Sequence, residues 1–142
     1  MIAVRVQAAL RAIGMDAEIE RVTPAVYAER KVAKQLQSTV DSMLAWIDDP
    51  NYSLSLVLQC GVYGNYMDYC NEEVDQIIKD GWGESDAGKR RAMFNRAQEL
   101  IIADAPWAFL AQPDFKLAMS SDLGGYVHYA NEIPRYHNYY WK

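Results

Sequence analysis

"VQAALRAIGMDAEIERVTPAVYAER", residues 6–30, changes its hydrophobic period twice. Its opening continues Ile2, Val6, Leu10 and Ile13, apolar residues at helical spacing, and Gly14 is a natural C-terminal stop. "MDAEIERV" (15–22) then alternates polar and apolar residues, the pattern of a strand. Thr23 before Pro24 is an N-cap followed by proline at the first helical position, so a helix opens there and runs to about Lys34. "STVDSMLAW" (38–46) reads as a second strand, buried toward its C-terminal end. Helix–strand–helix–strand is the alternation of an α/β lobe. The expected fold class is therefore α/β, with helices packed on a small, mainly parallel sheet.

The second half keeps to helices for longer. Asn71 is placed to cap a helix whose first turn carries Glu72 and Glu73, favourable at the positive end of the helix dipole. Val74, Ile77 and Ile78 form its inner face, and Gly81 and Gly83 end it. Ser85 or Asp86 caps a further helix with the apolar stripe Met93, Phe94, Ala97, Leu100 and Ile101, stopped by Pro106. "WAFLA" (107–111) and "PDFKLAMS" (113–120) read as extended segments, and the tail from Leu123 is rich in glycine and aromatics with irregular periodicity. In "AWIDDPNYSLSL" (45–56) a strand end meets two aspartates and a proline, followed by alternating apolar residues.

Composition narrows the function. At 142 residues, half of them apolar and 23% charged, the chain is expected to form a single domain over 1–142. A net charge of −5 without a basic run argues against nucleic acid, whose phosphates require clustered Lys and Arg. No apolar run reaches the roughly 18 residues of a membrane span. The chain enters a helical pattern at its first residues with no capping side chain before it, which reads as an excised fragment.

No phosphate loop, nucleophile elbow or zinc-protease motif is present, and the chain is expected not to be an enzyme. Asp48 and Asp49 are adjacent, so their side chains point in different directions and make a poor acid–base pair. His128 and His137 lie far from Cys60 and Cys70, so no metal site is expected, and no motif calls for a cofactor. The two cysteines, ten positions apart around "GVYGNYMDY", suit a disulfide closing a glycine-containing loop; two unpaired thiols are the alternative. Between them Tyr63, Tyr66 and Tyr69, with Asn65, are either pocket walls or packing residues on one face of a turn. Trp46 ends a buried strand, where open α/β sheets place their ligands.

Four stretches together carry a family resemblance. "VQAALRAIGMDAEIERVTPAVYAER" resembles a helix ending in Leu-x-x-Ile-Gly, a strand and the next helix. "VDSMLAWIDDP" resembles a strand with a Trp and a downstream Asp-Pro. "NYMDYCNEEVDQII" resembles an Asn…Tyr-x-Asn-x-x-x-Asp segment, and "SDAGKRRAMFNRAQELIIADAPWAFLAQ" a long helix with an Asp-Ala-Pro end and a strand behind it. In that order, over about residues 3–125, they are similar to the C-terminal part of dipeptide/oligopeptide (family 5) solute-binding proteins, the extracytoplasmic receptors of ABC importers.

The resemblance implies part of one lobe of a two-lobed periplasmic-binding-protein (type II) fold, the N-terminal lobe being absent. It implies a peptide ligand, with sugars, opines and metal chelates as alternatives, and a membrane permease as partner. It also implies a periplasmic or otherwise extracytoplasmic location. In peptide-binding members an Asp after the Trp-bearing strand pairs with the peptide's α-ammonium. By resemblance that role falls on Asp48, with Asp49 second, beside Trp46, Asn65, Tyr66 and Tyr69. Some members carry a cysteine pair flanking this segment, which favours Cys60–Cys70. Apolar surface left open in the isolated fragment is expected to invite a homodimer. The reading from another class is a stand-alone enzyme or regulatory domain reusing the lobe.

Overall fold

The structure is a computed structural model that describes residues 2–43, 47–112, 114–129 and 131–142. Its contacts divide the chain into two compact units, Met1–Met43 and Leu44–Lys142, where the sequence reads as one domain.

The first unit holds α1 (Ile2–Ala12) and α2 (Pro24–Val32). Helix α1 ends as Gly14 predicts. With φ at +82° it lets Met15 N–H reach Leu10 O (3.0 Å) and its own N–H reach Arg11 O (3.0 Å), satisfying carbonyls the helix leaves open. Thr23 caps α2 by accepting from Val26 N–H, with Pro24 at the first turn. Polar clips complete the unit. Gln7 Nε2 donates to Ala17 O (2.7 Å), Arg30 grips Glu20 with two bonds (2.9 and 2.8 Å), and Asp41 takes both Tyr27 Oη–H (2.6 Å) and the Lys31 ammonium. None of its described residues is buried, so caps and clips hold it rather than a core.

The second unit contains α3 (Pro50–Val57), α4 (Glu72–Gly81), α5 (Ala87–Asp104) and a two-stranded sheet of β1 (Leu123–Gly124) and β2 (Tyr140–Trp141). Helices α4 and α5 start at the residues the sequence offers as caps. Asn71 accepts from Glu73 and Val74 N–H, and Asp86 from Lys89 N–H. Val74 and Ile78 on α4 meet Ala97 and Ile101 on α5, with Leu58 closing the cluster from the end of α3. Burying a side chain such as Ile78 contributes roughly 1.5–3 kcal/mol. Gly81 lies where a methyl group would sit 3.0 Å from the Phe94 ring and 3.2 Å from Asn51 Oδ1. Asn51, wholly buried, donates to Ile78 O (3.1 Å) and fastens α3 to α4.

The expected mixture of helices with a small sheet is present, but the pairing differs. The one ladder among the described residues is antiparallel, Leu123 opposite Trp141 and Gly124 opposite Tyr140. Segments 15–22, 38–43, 107–111 and 114–120, expected as strands, form no ladder there. A strand needs a neighbour for its N–H and C=O groups, and a parallel neighbour arrives only through a long crossover. No described residue supplies one, and Phe109, Leu110, Phe115, Leu117 and Met119 accordingly remain exposed.

Candidate ligand-binding site

The predicted ligand residues fall at the two ends of α3, which spans about 12 Å. At its start, Asp49 N–H bonds to Ile47 O (2.8 Å), closing a three-residue turn with Asp48 at the apex. The two aspartates then have different surroundings. Asp49 Oδ1 accepts from Asn51 N–H (2.8 Å) and Tyr52 N–H (3.3 Å). Both its oxygens also receive Arg90 Nη2 at 2.9 Å. Burial pushes the Asp49 carboxyl up, but the Arg90 bond and the two helix N–H groups outweigh it and hold it below the usual carboxylate range. Arg90 is itself fixed, donating to Gly81 O (3.3 Å) with its guanidinium 4.9 Å from the Phe94 ring centre. Asp48 is exposed, and among the described residues the helix cap and the Arg90 ion pair fall to Asp49 instead. Trp46 lies outside the described residues.

At the far end of α3 the cysteines form the disulfide Cys60–Cys70, with a Cα–Cα distance of 4.7 Å. Cys60 N–H donates to Asp75 Oδ1 (2.9 Å), which ties the loop to α4. Inside the loop Asn65 is 2% exposed, and its amide is spent on Gln59 O, Tyr69 O and Tyr69 N–H. Tyr69 packs beside the core and donates its hydroxyl to Asp104 Oδ2 (2.8 Å), which also receives Asn71 Nδ2 (2.7 Å). Burial first, then the Asp104 bond, pushes the Tyr69 phenol well above its usual range, so it stays protonated. The Asn71 and Tyr69 bonds lower the Asp104 carboxyl. Tyr63 and Tyr66 stand edge-to-face, ring centres 5.9 Å apart, with Tyr63 76% exposed.

Of the predicted residues, Asp49, Asn65 and Tyr69 are thus engaged inside the fold. Asp48 and Tyr63 are exposed, while Tyr66 is half-buried. Sequence reasoning missed Arg90, Asp75 and Asp104, the last visible only as a helix end in "ADAP". It also passed over the tail, where Phe115, Leu117, Tyr126, His128, Tyr139 and Trp141 help line a cavity of about 400 Å³. Among the described residues no three His, Cys, Asp or Glu side chains gather as metal ligands, and no helix is long and apolar enough to cross a membrane.

Helices with a small sheet are also what solved solute-binding proteins show over the matching segment. The chain superposes on the structure of OppA from Burkholderia pseudomallei with a TM-score of 0.82 over 99% of its length and 28% of that chain, at 24% identity. It matches the periplasmic binding protein DppA from Helicobacter pylori, solved with the peptide STSA, with a TM-score of 0.67 at 28% identity, over 73% of this chain and 21% of that one. In sequence it is 25% identical over 129 residues to the probable D,D-dipeptide-binding periplasmic protein DdpA of Escherichia coli, covering 89% of this chain. It is 31% identical over 94 residues to the dipeptide-binding protein DppE of Bacillus subtilis, covering 66% of this chain. In sequence and fold the chain is similar to dipeptide- and oligopeptide-binding members of the solute-binding proteins. It spans 25% of the length of the first relative and 17% of the second. No protein-family model matches it.

Proposed function

We propose that this chain is part of the substrate-binding component of an ABC importer, a non-enzymatic receptor that captures peptides between two lobes for delivery to a membrane permease. The homology to proteins named for dipeptide and oligopeptide binding supports the ligand class. The disulfide and the periplasmic relative support an extracytoplasmic location, where such bonds persist.

The observation that carries the reading to a residue is the division of labour at the start of α3. Asp49 is consumed by a cap and by Arg90, while its neighbour Asp48 stands at the apex of a turn with its carboxylate in solvent. An α-ammonium enclosed between lobes needs a counter-charge to offset its desolvation. We assign that role to Asp48, with Trp46 and Tyr66 as walls. Asp49, Asn65 and Tyr69 hold the frame rather than the ligand.

A thermal-shift screen of the full-length receptor against dipeptides, tripeptides, sugars, opines and metal chelates tests the ligand class. Peptides are expected to raise Tm. Stabilisation by one of the other classes alone would overturn the peptide assignment.

A further inference from the structure

Asn65 duplicates the closure made by the disulfide. Its Nδ2 donates to Gln59 O (3.0 Å) and Tyr69 O (2.6 Å), the carbonyls of the residues directly preceding Cys60 and Cys70. Its Oδ1 accepts from Tyr69 N–H (3.1 Å), and its own N–H reaches Val62 O (3.0 Å). One buried side chain therefore ties, from inside the loop, the two points of backbone that the sulfurs tie from outside. The flanks are fixed separately. Cys60 N–H rests on Asp75 of α4, and the Tyr69 hydroxyl and Asn71 amide both rest on Asp104 of α5. Each half-cystine is thus held by bonds that contain no sulfur.

We propose that Asn65 is the positioning residue for the Tyr63–Tyr66 pair, and that loop 60–70 keeps its native geometry when the disulfide is reduced. The two closures act on different states. A cross-link chiefly limits the freedom of the unfolded chain. Asn65 acts in the folded loop, where removing it strands the Tyr69 carbonyl and N–H and leaves Gln59 O only the long bond from Val62 N–H (3.5 Å). The aromatic pair would then be presented alike in oxidising and reducing surroundings. This inference concerns loop geometry and does not rest on the peptide reading; failure of peptide binding leaves it untouched.

The test is amide hydrogen exchange by NMR on the chain, oxidised and reduced with a phosphine. Tyr69 N–H reports the loop, and Ile78 N–H, in the buried face of α4, reports the fold. Reduction is expected to change Tyr69 protection by less than about threefold relative to Ile78. In the oxidised chain Asn65→Ala is expected to lower Tyr69 protection by about tenfold or more with Ile78 still protected. Asn65→Asp keeps the acceptor for Tyr69 N–H but has no N–H for Gln59 O and Tyr69 O, and is expected to leave Tyr69 protection between those of the parent and Asn65→Ala. Loss of Tyr69 protection on reduction beyond any fall at Ile78 would overturn the proposal, as would full protection in oxidised Asn65→Ala. If the variants fail to fold, the reduction of the unaltered chain decides.

Discussion

Replacing each of the two adjacent aspartates separates the residue that holds the fold from the one left free. Exchanging a capping Asp for Ala costs about 1 kcal/mol. The Arg90 pair, with side chains 27% and 31% exposed, adds roughly 1 kcal/mol after solvent screening. Asp49→Ala is therefore expected to destabilise the second unit by about 2 kcal/mol. Asp49→Asn retains a good cap and loses only the ion pair, a cost of about 1 kcal/mol. Asp48→Ala removes nothing internal and should stay within about 0.5 kcal/mol of the parent. With a urea m-value of about 2 kcal/mol/M, the Asp49→Ala midpoint falls by about 1 M. Cap and pair share Oδ1, so their contributions couple; Arg90→Met, which keeps the stem over Phe94, completes a double-mutant cycle.

The pH dependence has a definite sign. The folded Asp49 carboxyl lies below its unfolded value, so the unfolded chain binds more protons in that window. Its contribution is complete above the ordinary carboxylate pKa and is lost as pH falls through the lowered folded value. The gap between parent and Asp49→Asn must therefore narrow in acid. Equal costs for Asp48→Ala and Asp49→Ala, or a gap that widens in acid, would refute the reasoning.

Other consequences are equally direct. Gly81→Ala places a methyl group 3.0 Å from the Phe94 ring and should cost about 1–3 kcal/mol, read as a lower Tm. Ile78→Ala opens the α4–α5 contact and should cost about 2–5 kcal/mol by urea titration. Replacing both cysteines with serine removes a cross-link of sequence separation 10 and should lower stability by about 2–3 kcal/mol, while leaving the folded loop's Tyr69 amide protected.

What the sequence disclosed is what is local. Thr23–Pro24, Asn71 before two glutamates, and Asp86 each bond to an N–H two or three residues on, so neighbouring letters contain the whole interaction. The buried faces of α4 and α5 were equally legible, because Val74 and Ile78, or Ala97 and Ile101, repeat at one helical turn. Helix α3 was obscured by its own letters. Tyr52, Leu54 and Leu56 alternate like a strand, yet the cap at Asp49 and the docking of Leu54 and Leu58 settle it as helix. Asp49 before Pro50 was legible as a cap, but its pairing with Arg90 and that of Tyr69 with Asp104 were hidden for a different reason. Arg90 is 41 positions from Asp49, and Asp104 is 35 from Tyr69, so only the packing of α3, α4 and α5 brings them together. The strands were misjudged in pairing because alternation marks a face and says nothing about which neighbour fills it.

The central claim is that Asp48 takes the ligand's α-ammonium. The direct measurement is calorimetric titration of the full-length receptor and its Asp48→Asn variant with a peptide that stabilises it and with the N-acetylated form. An enclosed ammonium left without its partner is expected to cost about 3 kcal/mol or more, so the variant should bind the free peptide roughly a hundredfold more weakly. N-acetylation should weaken binding to the parent by a similar factor and add little further loss in the variant. Undiminished affinity of Asp48→Asn for the free peptide would contradict the account.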